Sequence, residues 1–170
     1  MSLRLPSSLK NFNLHIEGVG YAGVIEQFVP PKITVQTEEY RGSGLDTPVS
    51  LDMGIAAMQA SWTMAEWSSD VQNLVGVVGG GTSLTAYGAI NDDSSLSAIG
   101  VKITMRGQIT ESDPGTWKAG VKTQHKYTMK LRYLRIETDG NINVEIDIEN
   151  MKRVINGVDQ IEILRDKIKF

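Results

Sequence analysis

The sequence predicts a mainly β domain, a β-sandwich or partial barrel with one or two short helices. Three observations carry this. Apolar and polar residues alternate with period two along most of the chain, the mark of half-buried strands. Turn signals such as Asp139-Gly140-Asn141 separate the alternating runs. The composition, 170 residues with 41% apolar and 22% charged, is that of one globular domain able to bury a core without staples. No linker divides it, so residues 1–170 read as a single domain.

Phe12, Leu14 and Ile16 alternate with Asn13, His15 and Glu17, and Gly18-Val19-Gly20 offers a turn before the chain returns from Tyr21 to Val29. Pro30-Pro31 interrupts the ladder, because proline has no N–H to give. Ile33 and Val35 open a strand running out to Tyr40, and Met58, Ala60, Trp62 and Met64 form another. Val101, Ile103, Met105 and Ile109 share one face of a third. Tyr127, Met129, Leu131 and Tyr133 continue the pattern, but Leu134 and Ile136 are apolar in the opposite phase, which predicts a bulge near Tyr133. Ile142, Val144, Ile146 and Ile148 follow the Asp139-Gly140 turn.

Two helices are expected. Ser68-Ser69-Asp70 is a cap, Val71, Leu74, Val75 and Val78 have helical spacing, and Gly79 supplies a stop. The second runs from about Asp159 to Lys167, with Ile161, Leu164, Arg165 and Ile168 on one side. Arg41 to Gly54, Gly79 to about Ala98 (around a strand near Leu84 to Ala89) and Ser112 to Gly120 show no clear period.

The chain has no cysteine, which excludes disulfides, thiolate catalysis and Cys-based metal sites. Lys and Arg number 17 against 20 Asp and Glu, a net charge of −3, so no overall basic footprint for nucleic acid exists. No apolar run of signal-peptide or membrane-span length is present, and a soluble protein made in the cytoplasm, without a membrane anchor, is expected. His15 and His125 are read as solvated strand residues, the Gly79-Gly80-Gly81 run as a flexible connection and Asp92-Asp93 as a solvated turn. No nucleophile–base pair or metal set is visible, so no catalytic residue, cofactor or metal is assigned. Trp62 fits the apolar phase and belongs to the core; Trp117 is either an interface anchor or simple loop packing.

Val121 to Thr138 reads as strand for about 16 residues, roughly 50 Å at ~3.3 Å per residue, where ordinary strands have ~5–6 residues. Such a strand outruns the sheet of a small domain and leaves unpaired backbone groups, which are templates for another chain. Neighbouring copies would complete the sheet. Contacts between two different surfaces of one molecule close into a ring where the rotation fits, and stacked rings make an open-ended filament.

The segment Tyr40-Arg41-Gly42-Ser43-Gly44-Leu45-Asp46, followed by Pro48-Val49-Ser50-Leu51-Asp52-Met53-Gly54, resembles the long loop of the major tail tube proteins of contractile-tailed bacteriophages and R-type bacteriocins. The likeness continues at Met105-Arg106-Gly107, Asp113-Pro114-Gly115-Thr116-Trp117-Lys118-Ala119-Gly120, Asp139-Gly140, Val144-Glu145-Ile146-Asp147 and Ile155-Asn156-Gly157-Val158-Asp159-Gln160. It covers nearly the whole chain in order; only Ser83 to Ala98 has no counterpart in it.

The resemblance implies hexameric rings stacked into a rigid hollow tube. Each subunit would give long antiparallel strands to a shared inner β-barrel, with a smaller sheet and a helix behind them. The tube would lie inside a contractile sheath and be driven through the target envelope, serving as a conduit for DNA or ions, without catalysis. Its implied partners are further copies of itself, the sheath protein, the baseplate hub, the tail terminator and a tape-measure protein. Assembly would take place in the bacterial host cytoplasm, and the product would be a virion or a bacteriocin particle.

Residues of about 41–54 would be the inter-subunit loop. Tyr40, Arg41, Leu45, Asp46, Val49, Leu51, Asp52 and Met53 are the candidate contacts there, with Leu45, Val49, Leu51 and Met53 as apolar anchors. Arg41, Asp46 and Asp52 are the candidate charge pairs that fix register. Asp113, Trp117 and Lys118 complete the candidate interface. The glycines and Pro48 of the loop predict mobility in a free subunit, and ordering it costs ~1–2 kcal/mol per residue. That cost would hold assembly back until a baseplate template has ordered one ring. The rival readings are a ring-forming tube protein of a bacterial secretion system and a monomeric ligand-binding β-sandwich that uses Trp117.

Overall fold

Two long antiparallel strands organise the molecule. The computed structural model describes residues 6–79, 81–92 and 97–169. In chain order the elements are β1 Ser8–Ile16, β2 Val19–Gly20, β3 Ile25–Val29, β4 Val35–Tyr40, β5 Val49–Ile55, β6 Gln59–Met64, α1 Ser69–Gln72 and β7 Thr82–Asn91. They continue with β8 Ile99–Asp113, β9 His125–Thr138, β10 Asn141–Asp147, β11 Lys152–Ile155, β12 Val158–Asp159 and α2 Glu162–Ile168.

Strands β8 and β9 pair along nearly their whole length, and the sheet grows from them as β12-β11-β10-β9-β8-β7-β1-β2. Strand β9 serves two neighbours on its other edge: His125–Lys130 pairs with β6 and Tyr133–Thr138 with β10. The hand-over falls at Leu131 and Arg132. Leu131 N–H donates to the Met58 carbonyl, and the Arg132 carbonyl accepts from Ile148 N–H, each at 3.0 Å. Across from them Arg106 pairs with Tyr133 and Gly107 with Leu131, so Arg132 is the extra residue of a bulge. That is the phase slip predicted near Tyr133: a single inserted residue moves the apolar side chains to the other parity. Gly107 stands opposite it, where a Cβ would lie 2.0 Å from the Lys130 carbonyl oxygen, so only glycine lets the two backbones approach.

The core forms between the two arms of this branched sheet. Trp62, Met64, Ala60, Tyr127, Met129 and Ile109 come from the β6 arm, and Leu14, Ile16, Leu84, Met105, Leu134 and Ile146 from the other. Trp62 stacks on Tyr127 with ring centroids 5.5 Å apart, as their cross-strand register dictates. Among the described residues the sheet stays open, a partial barrel. Among the described residues the outer side of β3 has no partner strand, and β2 covers β1 only at His15 and Ile16.

Several expectations need correction. Strand β9 starts at His125, not Val121; the four residues before it belong to a loop held by Glu26, which accepts from Lys122 Nζ and, at 3.0 Å, from Gln124 Nε2. Helix α1 ends at Gln72 instead of running to Val78, because Gly76 turns left-handed (φ +75°) and donates to the Ile109 carbonyl at 2.9 Å. The segment after it thus serves as a short bridge to β8. Strand β7 extends from Thr82 to Asn91, beyond the predicted Leu84 to Ala89. Helix α2 covers Glu162–Ile168, with Ile163, Leu164 and Ile168 all exposed. Of the predicted Gly79-Gly80-Gly81 connection and the Asp92-Asp93 turn, Gly80 and Asp93 lie outside the described residues.

Candidate subunit interface

Strands β4 and β5 leave the main sheet and form a two-stranded sheet of their own. The Gly- and Pro-containing segment read as aperiodic is therefore half strand, and the connecting loop narrows to residues 41–48. A pattern was available: Val49, Leu51 and Met53 alternate with Ser50, Asp52 and Gly54. The surrounding glycines, Ser50 and Pro48 masked it.

Register sorts this hairpin into two faces. Tyr40 lies opposite Val49 and Glu38 opposite Leu51, whereas Glu39 lies opposite Ser50 and Thr37 opposite Asp52. Cross-strand partners share a face. One face therefore carries Tyr40, Val49 and Leu51 with Glu38 at its margin; the other is polar. Gly54, at φ +100°, bulges β5 between Asp52 and Ile55, and Met53 lies beside it. Tyr40, Leu45, Val49, Leu51 and Met53 are all exposed. A two-stranded hairpin with one apolar face uncovered is marginal in water, and exposed apolar faces are where proteins meet partners.

The polar face is tethered to the body. Arg153 on β11 donates from Nη2 to Asp52 Oδ2 at 2.8 Å and from Nη1 to Oδ1 at 3.3 Å. This fork, with the Gly54 N–H at 2.8 Å, holds the Asp52 carboxyl below its ordinary range. Asp52 is thus engaged within its own chain. Asp159 continues the connection: it accepts from Arg153 N–H at 3.3 Å and from Arg165 Nη1 at 2.8 Å, linking the hairpin base to α2. Between hairpin and α2 runs a groove of about 600 Å³, lined in part by Met53, Ile55, Ile146, Ile148, Ile161 and Leu164.

The remaining candidates form a second patch at the end of β6 and β9 farthest from the hairpin. Asp113 ends β8, and its Oδ1 accepts from Gly115 N–H at 2.9 Å, starting the loop of residues 114–124. Trp117 on that loop is 73% exposed and meets Trp67 edge-to-face, 5.8 Å between centroids. Lys118 beside it is exposed. The structure therefore brings Asp113, Trp117 and Lys118 together, and Tyr40 to Met53 together, but as separate patches. Trp67, itself half exposed, was missed because nothing in its spacing separates it from an ordinary loop tryptophan.

His125 corrects an expectation. It was read as solvated, yet it is fully buried beneath Trp67. Its parity matches Tyr127 and Met129, so it belongs to the core phase of β9. Ser112 Oγ donates to Gln72 Oε1 at 2.9 Å, so it accepts from His125 Nε2 at 2.7 Å; Nδ1 then accepts from the Tyr127 hydroxyl at 3.1 Å. The neutral ring satisfies every partner, and burial lowers its pKa from the usual 6.5.

Among the described residues no group of three or more His, Cys, Asp or Glu is placed to hold a metal ion. Residues 6–168 match the family model of phage tail tube protein FII. The chain is 31% identical over 170 residues to the tail tube protein of Escherichia phage P2, covering 98% of this chain and 99% of that one. It is 33% identical over 150 residues to the major tail tube protein of Serratia phage KSP20, covering 87% and 86%. The fold resembles a chain in the extended sheath-tube complex of an extracellular contractile injection system (TM-score 0.59, 11% identity, 78% of this chain and 91% of that one). It also resembles a chain in the sheath/tube terminator of the same kind of system (TM-score 0.60, 10% identity, 80% and 99%).

Proposed function

Because this chain belongs to the phage tail tube protein FII family, we infer that its work is structural, as a building block of the inner tube of a contractile tail or a related injection system. Its relatives are structural tail components. The place of action is a virion or a tail particle.

The finer account is as follows. Subunits join into hexameric rings, and the rings stack into a hollow tube enclosed by a sheath. One sheet arm, β3-β6-β9-β8, is suited to the inner wall. Its core face carries Trp62, Tyr127 and Met129, and its other face carries Gln59, Ser61, Thr63, Lys126, Thr128 and Lys130. The vacant outer side of β3 leaves room for another copy to extend it. Sheath, hub, terminator and tape-measure protein are its partners in the assembled tail. The observation that carries this reading is the amphipathic β4–β5 hairpin, whose apolar face is exposed in one chain.

Light scattering after size exclusion, followed by negative-stain imaging, tests it. Long hollow fibres support the tube; isolated rings would favour the secretion-system ring, and a lone 18.7 kDa species that persists with a baseplate present to template assembly the monomeric module.

A further inference from the structure

The hairpin and the tryptophan pair lie beyond opposite ends of the same strands. Strand β5 leads into β6 through residues 56–58, so the hairpin extends from the Gln59 end. At the other end Met64 pairs with both Ile25 and His125, and there Trp67 and the loop of residues 114–124 gather. An apolar patch of one shape thus sits at one end of the molecule and an aromatic patch of another shape at the opposite end.

We propose that the Tyr40–Val49–Leu51 face of one copy docks on the Trp67–Trp117 pair of a copy in the next ring. This rests on the tail-tube reading and names the surface that receives the hairpin. Two different patches at opposite ends make a head-to-tail contact, which propagates without limit, as stacking requires. Charge supports the match. The hairpin tip carries Arg41 and Asp46, while Asp113 and Lys118 flank Trp117, with Glu66 beside Trp67. Arg41 facing Asp113 or Glu66, and Asp46 facing Lys118, gives opposite signs at both margins of an apolar centre. Tyrosine against tryptophan is the composition of an interface hot spot.

The chain has no cysteine, so a single introduced thiol carries a label at one chosen position. Leu45→Cys, coupled to a photoactivatable benzophenone maleimide, is assembled with excess unlabelled protein, irradiated and digested. The expected cross-linked peptide comes from residues 65–68 or 113–124 of a different copy. Ser50→Cys, on the polar face of the hairpin, serves if the first label hinders assembly. Cross-links from assembled tubes that reach only other segments overturn the docking while leaving the tube reading intact. Failure of unmodified protein to form tubes, even with a baseplate present to template the first ring, overturns both.

Discussion

Arg153 and Asp52 lie 101 residues apart in sequence and meet in a two-pronged ion pair, 2.8 and 3.3 Å long, that ties the projecting hairpin to β11. The fork sets how the hairpin leaves the body while its apolar face stays clear. Replacing Arg153 with Ala frees the hairpin without touching the core. Amide hydrogen exchange of residues 49–55 in the unassembled subunit should accelerate roughly two- to five-fold, the range of an exposed pair. Unchanged exchange would mean the fork holds nothing.

The Asp52 carboxyl is held low by Arg153, so the tether is intact above the ordinary carboxylate pKa of 3.8 and is lost as pH falls below it. His125 acts at higher pH. Burial disfavours its charged form, and the Asp113 carboxylate opposes that more weakly. Unfolded chains take up a proton below 6.5 while the folded chain resists, so stability declines as pH falls through 6.5. Urea midpoints at about pH 7.5 and about pH 5.5 should differ in the wild type and converge in His125→Gln.

Trp62 is buried against Tyr127, and its removal leaves a cavity between the two arms of the sheet. Trp62→Ala should lose ~3–5 kcal/mol of unfolding free energy, read by urea titration.

Gly107 tolerates no side chain, because the Lys130 carbonyl occupies the site of its Cβ. Gly107→Ala must push β8 from β9 at the bulge and should cost about 3 kcal/mol or more. Gly18, with open space around its Cβ, is the control: substitution there strains only a turn backbone.

Leu45→Asp and Leu51→Asp place a charge on the hairpin, away from the core. Circular dichroism should show a folded subunit and electron microscopy should show no tubes; normal tubes from both would remove the hairpin from the interface.

How much of this was legible follows from packing. Strands β6 and β9 announce themselves because one face of each meets the core, which forces period two. The bulge at Arg132 was visible as a parity slip, and the Asp139-Gly140 turn as two positive-φ residues in a tight hairpin. Strand β5 was harder, since no core of its own chain imposes a pattern on it. Helix α1 was overread because Val71, Leu74 and Val75 keep helical spacing, while the bond from Gly76 to Ile109 that redirects the chain depends on tertiary structure. His125 was placed on the polar phase of its strand, although it shares the parity of Tyr127 and Met129 and so the core face. Trp67 acquires meaning only from Trp117 beside it, which lies far along the sequence.

A cryo-electron reconstruction of tubes grown from the purified protein would judge directly whether one subunit is finished by its neighbours. The expected map shows backbone pairing continuing around the bore from the vacant side of β3 into another copy, with Tyr40, Val49 and Leu51 buried between rings. Tubes in which β3 stays unpaired and the hairpin lies in solvent would contradict it.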